Sequence, residues 1–343
     1  MTTSFDSLPI VDVGALRSPH LSEEDRNSLS SQLYDVFATT GFAYLVNIPL
    51  SFDHEQVFGL AREFFALPTD QKMKLAKKTF RPGNSNTYRG YFPTQPNLAS
   101  DNLKEGFEIG SPNFQTTDGS ASKAQKIVLA EPNVWPEKES FNGREQLEQL
   151  HDELQDFSSK LLSLLASSLG KDGDAFSPWL KDSLSTLRLL HYPSVPQARA
   201  PSAGEDVKLS CTPHTDSGIL TLLHQDPTGG LEVLNAAGDW VPAPYVPHSI
   251  VVNVGDLMAK VSGGRFTATM HRVRTPQKTS PEPGTPFGRF SIPFFFEPGE
   301  RCLVAPVDGV EESVVYGEHV RKKMSTWVEF QDDSGYDTGN TEE

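Results

Sequence analysis

The chain is poor in cysteine, with only Cys211 and Cys302 among its 343 residues. Two cysteines do not make the disulfide framework that holds small secreted domains together, so we expect no such framework. Their scarcity indicates a reducing compartment, and we predict a cytoplasmic protein. Residues 1–20 also lack the basic start and apolar stretch of a secretory signal, in agreement with that prediction.

Long apolar runs and an excess of basic residues are also missing. No run approaches the roughly 18 to 20 apolar residues that span a bilayer, so we expect no membrane partner. The 45 acidic residues outnumber the 30 basic ones, which gives a net charge of −15. Because a phosphate backbone is repelled by a surface of that sign, we expect no nucleic-acid partner either. A monomeric state is also expected.

The first half of the chain mixes strand-like and helix-like patterns. Apolar runs at 8–13 and 41–48 predict strands. Apolar residues recur at helical spacing in three segments, 29–37, 57–65 and 147–164. These segments predict amphipathic helices, the last of them long. We interpret residues 1–178 as a region of helices and strands that packs on a core supplied by the second half.

The second half consists of many short β-rich runs separated by glycine and proline. The runs are 185–192, 219–224, 231–234, 240–241, 249–254, 271–273 and 289–296. Short strands with turns between them predict a jelly roll, and parallel βαβ units are disfavoured because no helix-length pattern separates the runs. We therefore predict an α+β, mainly β fold: a double-stranded β-helix with flanking N-terminal helices. Its core is expected over 179–330, with a C-terminal helix at about 313–327 and a disordered acidic tail at 331–343.

His214 and Asp216 are the first candidates for chemistry. In an extended segment, residues two apart project to the same face, so an imidazole and a carboxylate lie side by side there. His271 lies in a strand-like run after an interval long enough for the chain to cross a small barrel and return. Two histidines and one carboxylate form the facial triad of non-haem Fe(II) enzymes. Zinc is the competing metal, but the helical H-E-x-x-H pattern of zinc proteases is absent.

Arg289 and Ser291 suggest a partner for that metal. On a strand they point to one face, where the guanidinium offers a bidentate fork and the hydroxyl a further donor. Such a pair suits a carboxylate at the inner end of a pocket. We therefore predict an acid co-substrate that chelates the metal.

At this point the sequence resembles a known family, the Fe(II)- and 2-oxoglutarate-dependent dioxygenases of the isopenicillin N synthase-like group. The resemblance covers residues 8–330. Its motifs are found at 8–12, 41–47, 88–91, 104–110, 214–216, 253–257, 262–266, 271–273 and 289–291. Each motif is weak by itself, but their order and spacing together are specific.

The resemblance implies the cofactors and most of the site. His214, Asp216 and His271 would ligate Fe(II), while Arg289 and Ser291 would bind the distal carboxylate of 2-oxoglutarate. Tyr192 stands where the family places a tyrosine hydroxyl near this co-substrate. With O₂, the implied reaction oxidises a C–H bond of the substrate, by hydroxylation, desaturation or ring formation, and releases succinate and CO₂.

The substrate and two alternative functions are left open by the sequence. Family topology makes Tyr91, Phe92 and Phe295 candidate substrate contacts, and an aromatic lining suits a small, mainly apolar molecule such as a secondary metabolite. One alternative is an isopenicillin N synthase-type four-electron oxidase that needs no 2-oxoglutarate. The other is an inactive small-molecule-binding relative.

Overall fold

A computed structural model of the protein describes residues 3–95, 103–113, 127–193, 208–275, 288–309 and 312–324. The predicted acidic tail at 331–343 lies outside these residues. Six α-helices are found in the described ranges: α1 (Glu23–Thr39), α2 (His54–Phe65), α3 (Thr69–Lys74), α4 (Arg144–Ser168), α5 (Asp256–Val261) and α6 (Tyr316–Met324). None of the helices in this part of the chain is both long and apolar enough to cross a membrane.

Fourteen strands accompany the helices in the same ranges. The first seven are β1 (Ile10–Asp12), β2 (Phe42–Val46), β3 (Gly90–Phe92), β4 (Glu105–Ile109), β5 (Thr186–Pro193), β6 (Leu209–His214) and β7 (Leu220–Gln225). The others are β8 (Leu231–Leu234), β9 (Trp240–Pro242), β10 (Ser249–Val254), β11 (His271–Arg274), β12 (Gly288–Phe296), β13 (Leu303–Val304) and β14 (Val314–Val315). The predicted strands of the second half are all present, within one residue at each end. The mainly β, α+β fold is confirmed.

Two sheets form the core. The large sheet has eight strands in the order β1-β2-β10-β7-β12-β5-β4-β3, and the small sheet has four in the order β6-β11-β8-β9. Except for the parallel pair β1 and β2, their neighbouring strands are antiparallel. Four strands of the large sheet come from the first 178 residues. The proposed division at residue 178 therefore runs through a sheet, and as a domain boundary it stays a prediction.

The helices begin where the sequence supplies caps. Ser22 precedes α1 and accepts a hydrogen bond from the backbone N–H of Asp25, as a helix-capping serine does. Asp53 and Gln56 form a capping box at the start of α2, each side chain bonding the backbone N–H of the other. The long α4 buries one face, which includes Leu150, Leu154, Phe157 and Leu161. Gly170, with a φ of 74°, follows its end and adopts the left-handed conformation that favours glycine.

The large sheet separates two apolar clusters. Alternate residues of β12 point to opposite faces, so Phe290, Phe294 and Phe296 join the main core. The opposite face of the sheet lies toward the small sheet. A second, smaller cluster occupies this interior, and it consists of Leu8, Phe42, Tyr44, Phe92, Leu190, Tyr192, Cys211, Leu231, Val233, Ala243, Val251 and Val273. The site lies beside this smaller cluster.

Candidate metal centre and co-substrate site

Three side chains converge at the end of the small sheet where β6 ends and β11 begins. His214, Asp216 and His271 each offer one ligand atom, and these atoms lie within 4.8 Å of one another. Oδ1 of Asp216 is 3.8 Å from Nε2 of each histidine. Two imidazole nitrogens and one carboxylate oxygen on one side of a point form a facial set, which suits a six-coordinate metal with further positions open.

Strand pairing brings the two histidines together. His214 is the last residue of β6 and His271 the first of β11, and the two are paired across these neighbouring strands. Their ring centres are 4.2 Å apart. Asp216 follows two residues after the end of β6, so its carboxylate returns to the same point. The pairing of β6 with β11 thus brings His271 beside Asp216, although 54 residues separate them in the chain.

Backbone carbonyls orient both imidazoles. Nδ1 of His214 lies 2.8 Å from the carbonyl oxygen of Thr212, and Nδ1 of His271 lies 3.2 Å from that of Thr269. A carbonyl only accepts hydrogen bonds, so each Nδ1 carries the proton and each Nε2 has its lone pair directed at the metal position. Phe42 packs edge-on against the His271 ring, at 5.2 Å between ring centres.

Two polar side chains fix the second oxygen of Asp216. Oδ2 accepts hydrogen bonds from the hydroxyl of Thr221 at 2.6 Å and from the amide of Asn253 at 2.8 Å. Thr221 belongs to β7 and Asn253 to β10. Two strands of the large sheet therefore orient the carboxylate of Asp216, which follows the end of β6 in the small sheet. With Oδ2 occupied in this way, Oδ1 is the oxygen directed at the histidines.

Charge and burial set the protonation of the ligands. Burial raises the pKa of Asp216, but the two neighbouring histidines and the hydrogen bonds from Thr221 and Asn253 outweigh it and hold the pKa below its usual value. Burial, with repulsion from His214, lowers the pKa of His271 to about 4. The ionised carboxylate and the neutral imidazole of His271 are in the state that binds a metal ion. Burial lowers the pKa of His214, but the nearby Cys211 and Asp216 outweigh burial and raise this pKa to about 9, so metal binding must displace a proton from His214.

Two glycines allow backbone segments to approach closely around the centre. Gly41 has a φ of 70°, and a Cβ there would collide with Thr269, whose carbonyl orients His271. At Gly255, a Cβ would collide with the backbone of Gly218. This contact lets the N–H of Asp256 donate to the carbonyl of Asp216 at 2.8 Å. The family-like segments at 41–47 and 253–257 thus position the ligands through their backbone.

Arg289 lies deep on the interior face of the large sheet. The residue is 1% exposed, and its Nε donates to the carbonyl of Gly229 at 2.7 Å. Within the described part of the chain, neither Nη1 nor Nη2 has a hydrogen-bond partner. A buried guanidinium with two unused terminal nitrogens needs an anion, and a carboxylate fits it bidentately. The donor set therefore fits the distal carboxylate of 2-oxoglutarate.

Tyr192 and Ser291 flank this arginine. Tyr192 is paired with Arg289 across β5 and β12, and its ring centre is 4.9 Å from the guanidinium carbon. Ser291 lies two residues along the same strand, on the same face, and is also buried. Leu190 is opposite Ser291 and belongs to the interior apolar cluster, so this position contributes packing.

The three aromatic candidates for substrate contacts have different surroundings. Phe92 lies in the interior cluster, and Phe295 lies on the interior face of β12, paired with Thr221. Tyr91 points into the main core, and its hydroxyl donates to Glu105 at 2.7 Å. Phe92 and Phe295 therefore border the interior, whereas Tyr91 has partners on the other face of the sheet.

Several residues near the centre received no role from the sequence. Thr221 and Asn253 donate hydrogen bonds to the carboxylate of Asp216. The sequence could have indicated them, because each is a polar residue at an inward position of an otherwise apolar strand. The sulfur of Cys211 lies 3.7 Å from Nδ1 of His214, and Nζ of Lys104 lies 3.6 Å from the same sulfur. No pattern in the sequence links Lys104 with Cys211, because their proximity arises from the approach of two distant segments.

Comparison with known families agrees with this geometry. Residues 183–298 match the model of the 2OG-Fe(II) oxygenase superfamily. Residues 8–138 match the model described as non-haem dioxygenase in morphine synthesis N-terminal. The first match contains all three candidate metal ligands together with Arg289 and Ser291. The two matches together extend over both halves of the chain.

Similar proteins of known name cover almost the whole chain. The 2-oxoglutarate-dependent dioxygenase citB of Monascus ruber is 31% identical over 344 residues, covering 95% of this chain and 97% of that protein. The homoarginine-6-hydroxylase 2-ODD-233 of Oryza sativa subsp. japonica is 30% identical over 348 residues, covering 95% and 99%.

Solved structures share the fold. A full-length Neurospora crassa protein in complex with alpha-KG (2-oxoglutarate) and thymine has a TM-score of 0.76 and 26% identity, covering 93% of this chain and 97% of that one. The dioxygenase for auxin oxidation from rice has a TM-score of 0.66 and 25% identity, covering 93% and 96%. The chain belongs to the 2OG-Fe(II) oxygenase superfamily, and it is a 2-oxoglutarate-dependent dioxygenase that uses Fe(II) and O₂.

Proposed function

We propose that His214, Asp216 and His271 bind Fe(II), that Arg289 and Ser291 bind the distal carboxylate of 2-oxoglutarate, and that the hydroxyl of Tyr192 lies near this co-substrate. The observation that carries this proposal is the convergence of two Nε2 atoms and one carboxylate oxygen within 4.8 Å. The terminal nitrogens of the buried Arg289 supply the matching anion site. The three candidate metal ligands and the terminal nitrogens of Arg289 all lie on the side of each sheet that faces the other sheet.

When bound, Fe(II) supplies the oxygen chemistry that couples oxidation of a substrate C–H bond to the conversion of 2-oxoglutarate into succinate and CO₂. The protein residues supply geometry and exclude water. The carbonyls of Thr212 and Thr269 keep the imidazoles in one tautomer, and Thr221 and Asn253 keep the carboxylate in one orientation. The interior apolar cluster beside the site keeps the reacting groups away from bulk water.

We infer that the substrate is a small organic molecule of the secondary-metabolite type. Phe92 and Phe295 give the interior an aromatic lining, which supports a mainly apolar ligand. The Neurospora crassa protein was solved with thymine, and the rice enzyme is named for auxin oxidation. The description of the N-terminal family model refers to morphine synthesis. These relatives support the size class of the substrate and leave its identity to experiment.

Anaerobic reconstitution tests the metal and co-substrate sites. Addition of Fe(II) and then 2-oxoglutarate is expected to produce the weak visible band of the chelate. His271→Ala and Asp216→Ala should abolish the band and turnover. Arg289→Ala should leave Fe(II) binding intact and raise the 2-oxoglutarate concentration needed for the band by about 100-fold, because a bidentate charged contact is lost. An unchanged band in His271→Ala would contradict the metal assignment.

The same preparation separates the two alternative functions. An isopenicillin N synthase-type oxidase would consume O₂ with substrate but release no succinate. An inactive binding relative would bind the substrate without O₂ uptake. We expect substrate-dependent release of succinate in a one-to-one ratio with O₂ consumed. The relatives named 2-oxoglutarate-dependent dioxygenases support that expectation.

The assembly state and the cellular location are further proposals. We propose a monomer that binds neither nucleic acid nor membranes, supported by the net charge of −15. A cytoplasmic location is supported by two free cysteines, Cys211 and Cys302. Light scattering coupled to size exclusion should give a mass near 37.7 kDa. A mass of twice that value would contradict the monomer.

A further inference from the structure

A tight turn contacts the arginine of the co-substrate site. It comprises residues 226–230 and follows β7, where this strand ends beside β12. The carbonyl oxygen of Gly229 in this turn accepts the hydrogen bond from Nε of Arg289 at 2.7 Å. Among the residues that the structure describes, Nε is the only guanidinium nitrogen of Arg289 with a hydrogen-bond partner. The direction of this one carbonyl therefore determines where the guanidinium lies.

Asp226 stabilises the turn through its side chain and its backbone. Its Oδ1 accepts a hydrogen bond from the backbone N–H of Thr228 at 2.9 Å, and its carbonyl accepts one from the N–H of Gly229 at 3.3 Å. Gly229 and Gly230 have φ values of 72° and 93°, in the left-handed region that favours glycine. These hydrogen bonds and glycines hold the turn, and with it the carbonyl of Gly229, in one conformation.

The other carboxylate oxygen of Asp226 binds the strand that carries the arginine. Oδ2 accepts a hydrogen bond at 2.6 Å from the backbone N–H of Phe290, which follows Arg289 on β12. In the reverse direction, the N–H of Asp226 donates to the carbonyl of Phe290 at 3.4 Å. The carboxylate thus replaces the carbonyl of Asp226 in this strand pair, and the carbonyl binds the turn instead. One side chain therefore connects the turn that contacts the guanidinium with the strand from which the guanidinium extends.

Asp226 supports the arginine without occupying its anion site. The residue is buried, and both of its carboxylate oxygens accept hydrogen bonds from backbone N–H groups. In the described ranges, the terminal nitrogens of Arg289 have no hydrogen-bond partner. A direct ion pair between the two side chains would compete with the co-substrate for these nitrogens. Because Asp226 acts through the backbone, both terminal nitrogens are left to the distal carboxylate.

We propose that Asp226 is a positioning residue that gives the co-substrate site its preference for a 2-oxo acid with a second, distal carboxylate. This inference rests on the proposed function of Arg289. Without the carboxylate of Asp226, the turn and the buried N–H of Phe290 both lose an acceptor, so the guanidinium shifts with the turn. A displacement of about 1 Å in a positioned group can cost on the order of 100-fold in activity. Chelation of the metal by the 2-oxo acid end of the co-substrate does not involve Arg289 and should be unaffected.

Two acids that differ only at the distal end test this role. 2-Oxopentanoate has the chain length of 2-oxoglutarate but ends in a methyl group, so it can chelate the metal but offers no carboxylate to Arg289. The protein is loaded anaerobically with Fe(II), and each acid is titrated while the chelate band is monitored. The wild-type protein should bind 2-oxoglutarate more tightly. In Asp226→Ala, the affinity for 2-oxoglutarate should fall by about ten-fold or more, whereas the affinity for 2-oxopentanoate stays the same.

Two further variants keep the test decisive. In an Arg289→Ala background, Asp226→Ala should change the affinity for neither acid, because the effects of two residues that act as one unit do not add. If Asp226→Ala does not fold, Asp226→Asn replaces it. The amide oxygen of asparagine can still accept the N–H of Thr228, but its amide nitrogen cannot accept that of Phe290. We expect Asp226→Asn to lose about three-fold or more of the preference for 2-oxoglutarate, as one hydrogen bond is removed.

Asp12→Ala is the matched control. Asp12 also accepts a hydrogen bond from a backbone N–H two residues ahead, that of Gly14 at 2.8 Å, and a second one from the amide of Asn47 at 2.9 Å. It lies on β1, which is separated from β12 by three strands of the large sheet. This variant should bind both acids as the wild-type protein does.

The outcomes distinguish this inference from the proposed function. An unchanged preference for 2-oxoglutarate in the folded Asp226→Ala or Asp226→Asn variant would overturn the role of Asp226. Equal losses for the two acids, or a further loss in the Arg289→Ala background, would also overturn it, because they would indicate a general effect on the fold. Equal affinity of the wild-type protein for the two acids would instead contradict the role of Arg289, and absence of the chelate band would contradict the proposed metal site.

Discussion

Thr221 and Asn253 do not bind the metal in our proposal, yet both donate hydrogen bonds to the same oxygen of Asp216. Each is a polar residue at an inward position of an apolar strand, where an unpaired side chain would cost free energy. Their bonds to Oδ2 fix the carboxylate plane, and they also favour its ionised form. Individual residues outside the ligand set thus control how well the ligands bind.

Replacement of Thr221 tests this control. Thr221→Val keeps the shape of the side chain but removes the donor, so Asp216 loses one of its two orienting hydrogen bonds. We expect Fe(II) affinity to fall by about 10- to 100-fold, as is typical for partners of metal ligands. Anaerobic titration with Fe(II) measures it. Thr39→Val, which removes a hydroxyl bonded to the carbonyl of Asp35 in α1, should leave the affinity unchanged.

Glu297 makes a second prediction at the residue scale. Burial raises its pKa to about 7, although Tyr316 donates a hydrogen bond to it at 2.6 Å. The folded protein therefore holds this proton more tightly than the unfolded chain. The contribution of Glu297 to the free energy of unfolding is fully present below the unfolded pKa of about 4.5, and it is lost as the pH rises to about 7.

Glu297→Gln should remove this pH dependence. Between pH 4.5 and 8 the variant is expected to lose less stability than the wild-type protein, by ~3 kcal/mol. Urea denaturation at several pH values measures the difference. Glu55→Gln, at an exposed position, is the control and should follow the wild-type curve. Equal pH dependence in the wild-type protein and Glu297→Gln would contradict a raised pKa.

At the scale of elements, local sequence signals located most of the structure. The predicted strand at 249–254 coincides with β10, and the helical segment predicted at 29–37 lies within α1. The short β3, β4, β6, β13, β14, α3 and α5 were not predicted as elements. Two to six residues carry little periodicity, and β3 and β4 depend on tertiary pairing, because β4 pairs with β5 and β3 pairs with β4.

The capping box of α2 gives a prediction for an element. Asp53→Ala leaves the backbone N–H of Gln56 without its acceptor, so we expect a loss of about 1 kcal/mol in the free energy of unfolding. Chemical denaturation measures it. Asp156→Ala makes the same chemical change at an exposed position inside α4, where alanine favours the helix. That control should be neutral or slightly stabilising, and an equal loss in both variants would contradict a specific role of the cap.

At the scale of the whole molecule, metal and co-substrate connect segments that are far apart in the chain. The proposed ligands come from the ends of two strands of the small sheet, and their support comes from the large sheet. A ligand that binds only the folded protein stabilises all of these elements together.

Thermal unfolding should reveal this linkage. At an Fe(II) concentration about 100 times the dissociation constant, we expect about 2.7 kcal/mol of stabilisation, or about 4 °C in the melting temperature. Addition of a chelator should reverse the shift. Asp216→Asn should show no shift with Fe(II), and a full shift in that variant would place the metal elsewhere.

The sequence by itself determined the fold class, the family and the metal triad as a hypothesis. These depend on information within short segments of the chain. The short strand-like runs with turns between them indicate the fold, the pair at 214 and 216 indicates the metal site, and the order of the motifs along the chain indicates the family. Only the tertiary structure decided which side chains support that site, namely Thr221 and Asn253 through their hydrogen bonds to Asp216. The physical reason is that these contacts join strands that are neighbours in the sheets but distant in the chain, and periodicity within one segment contains no information about its partner.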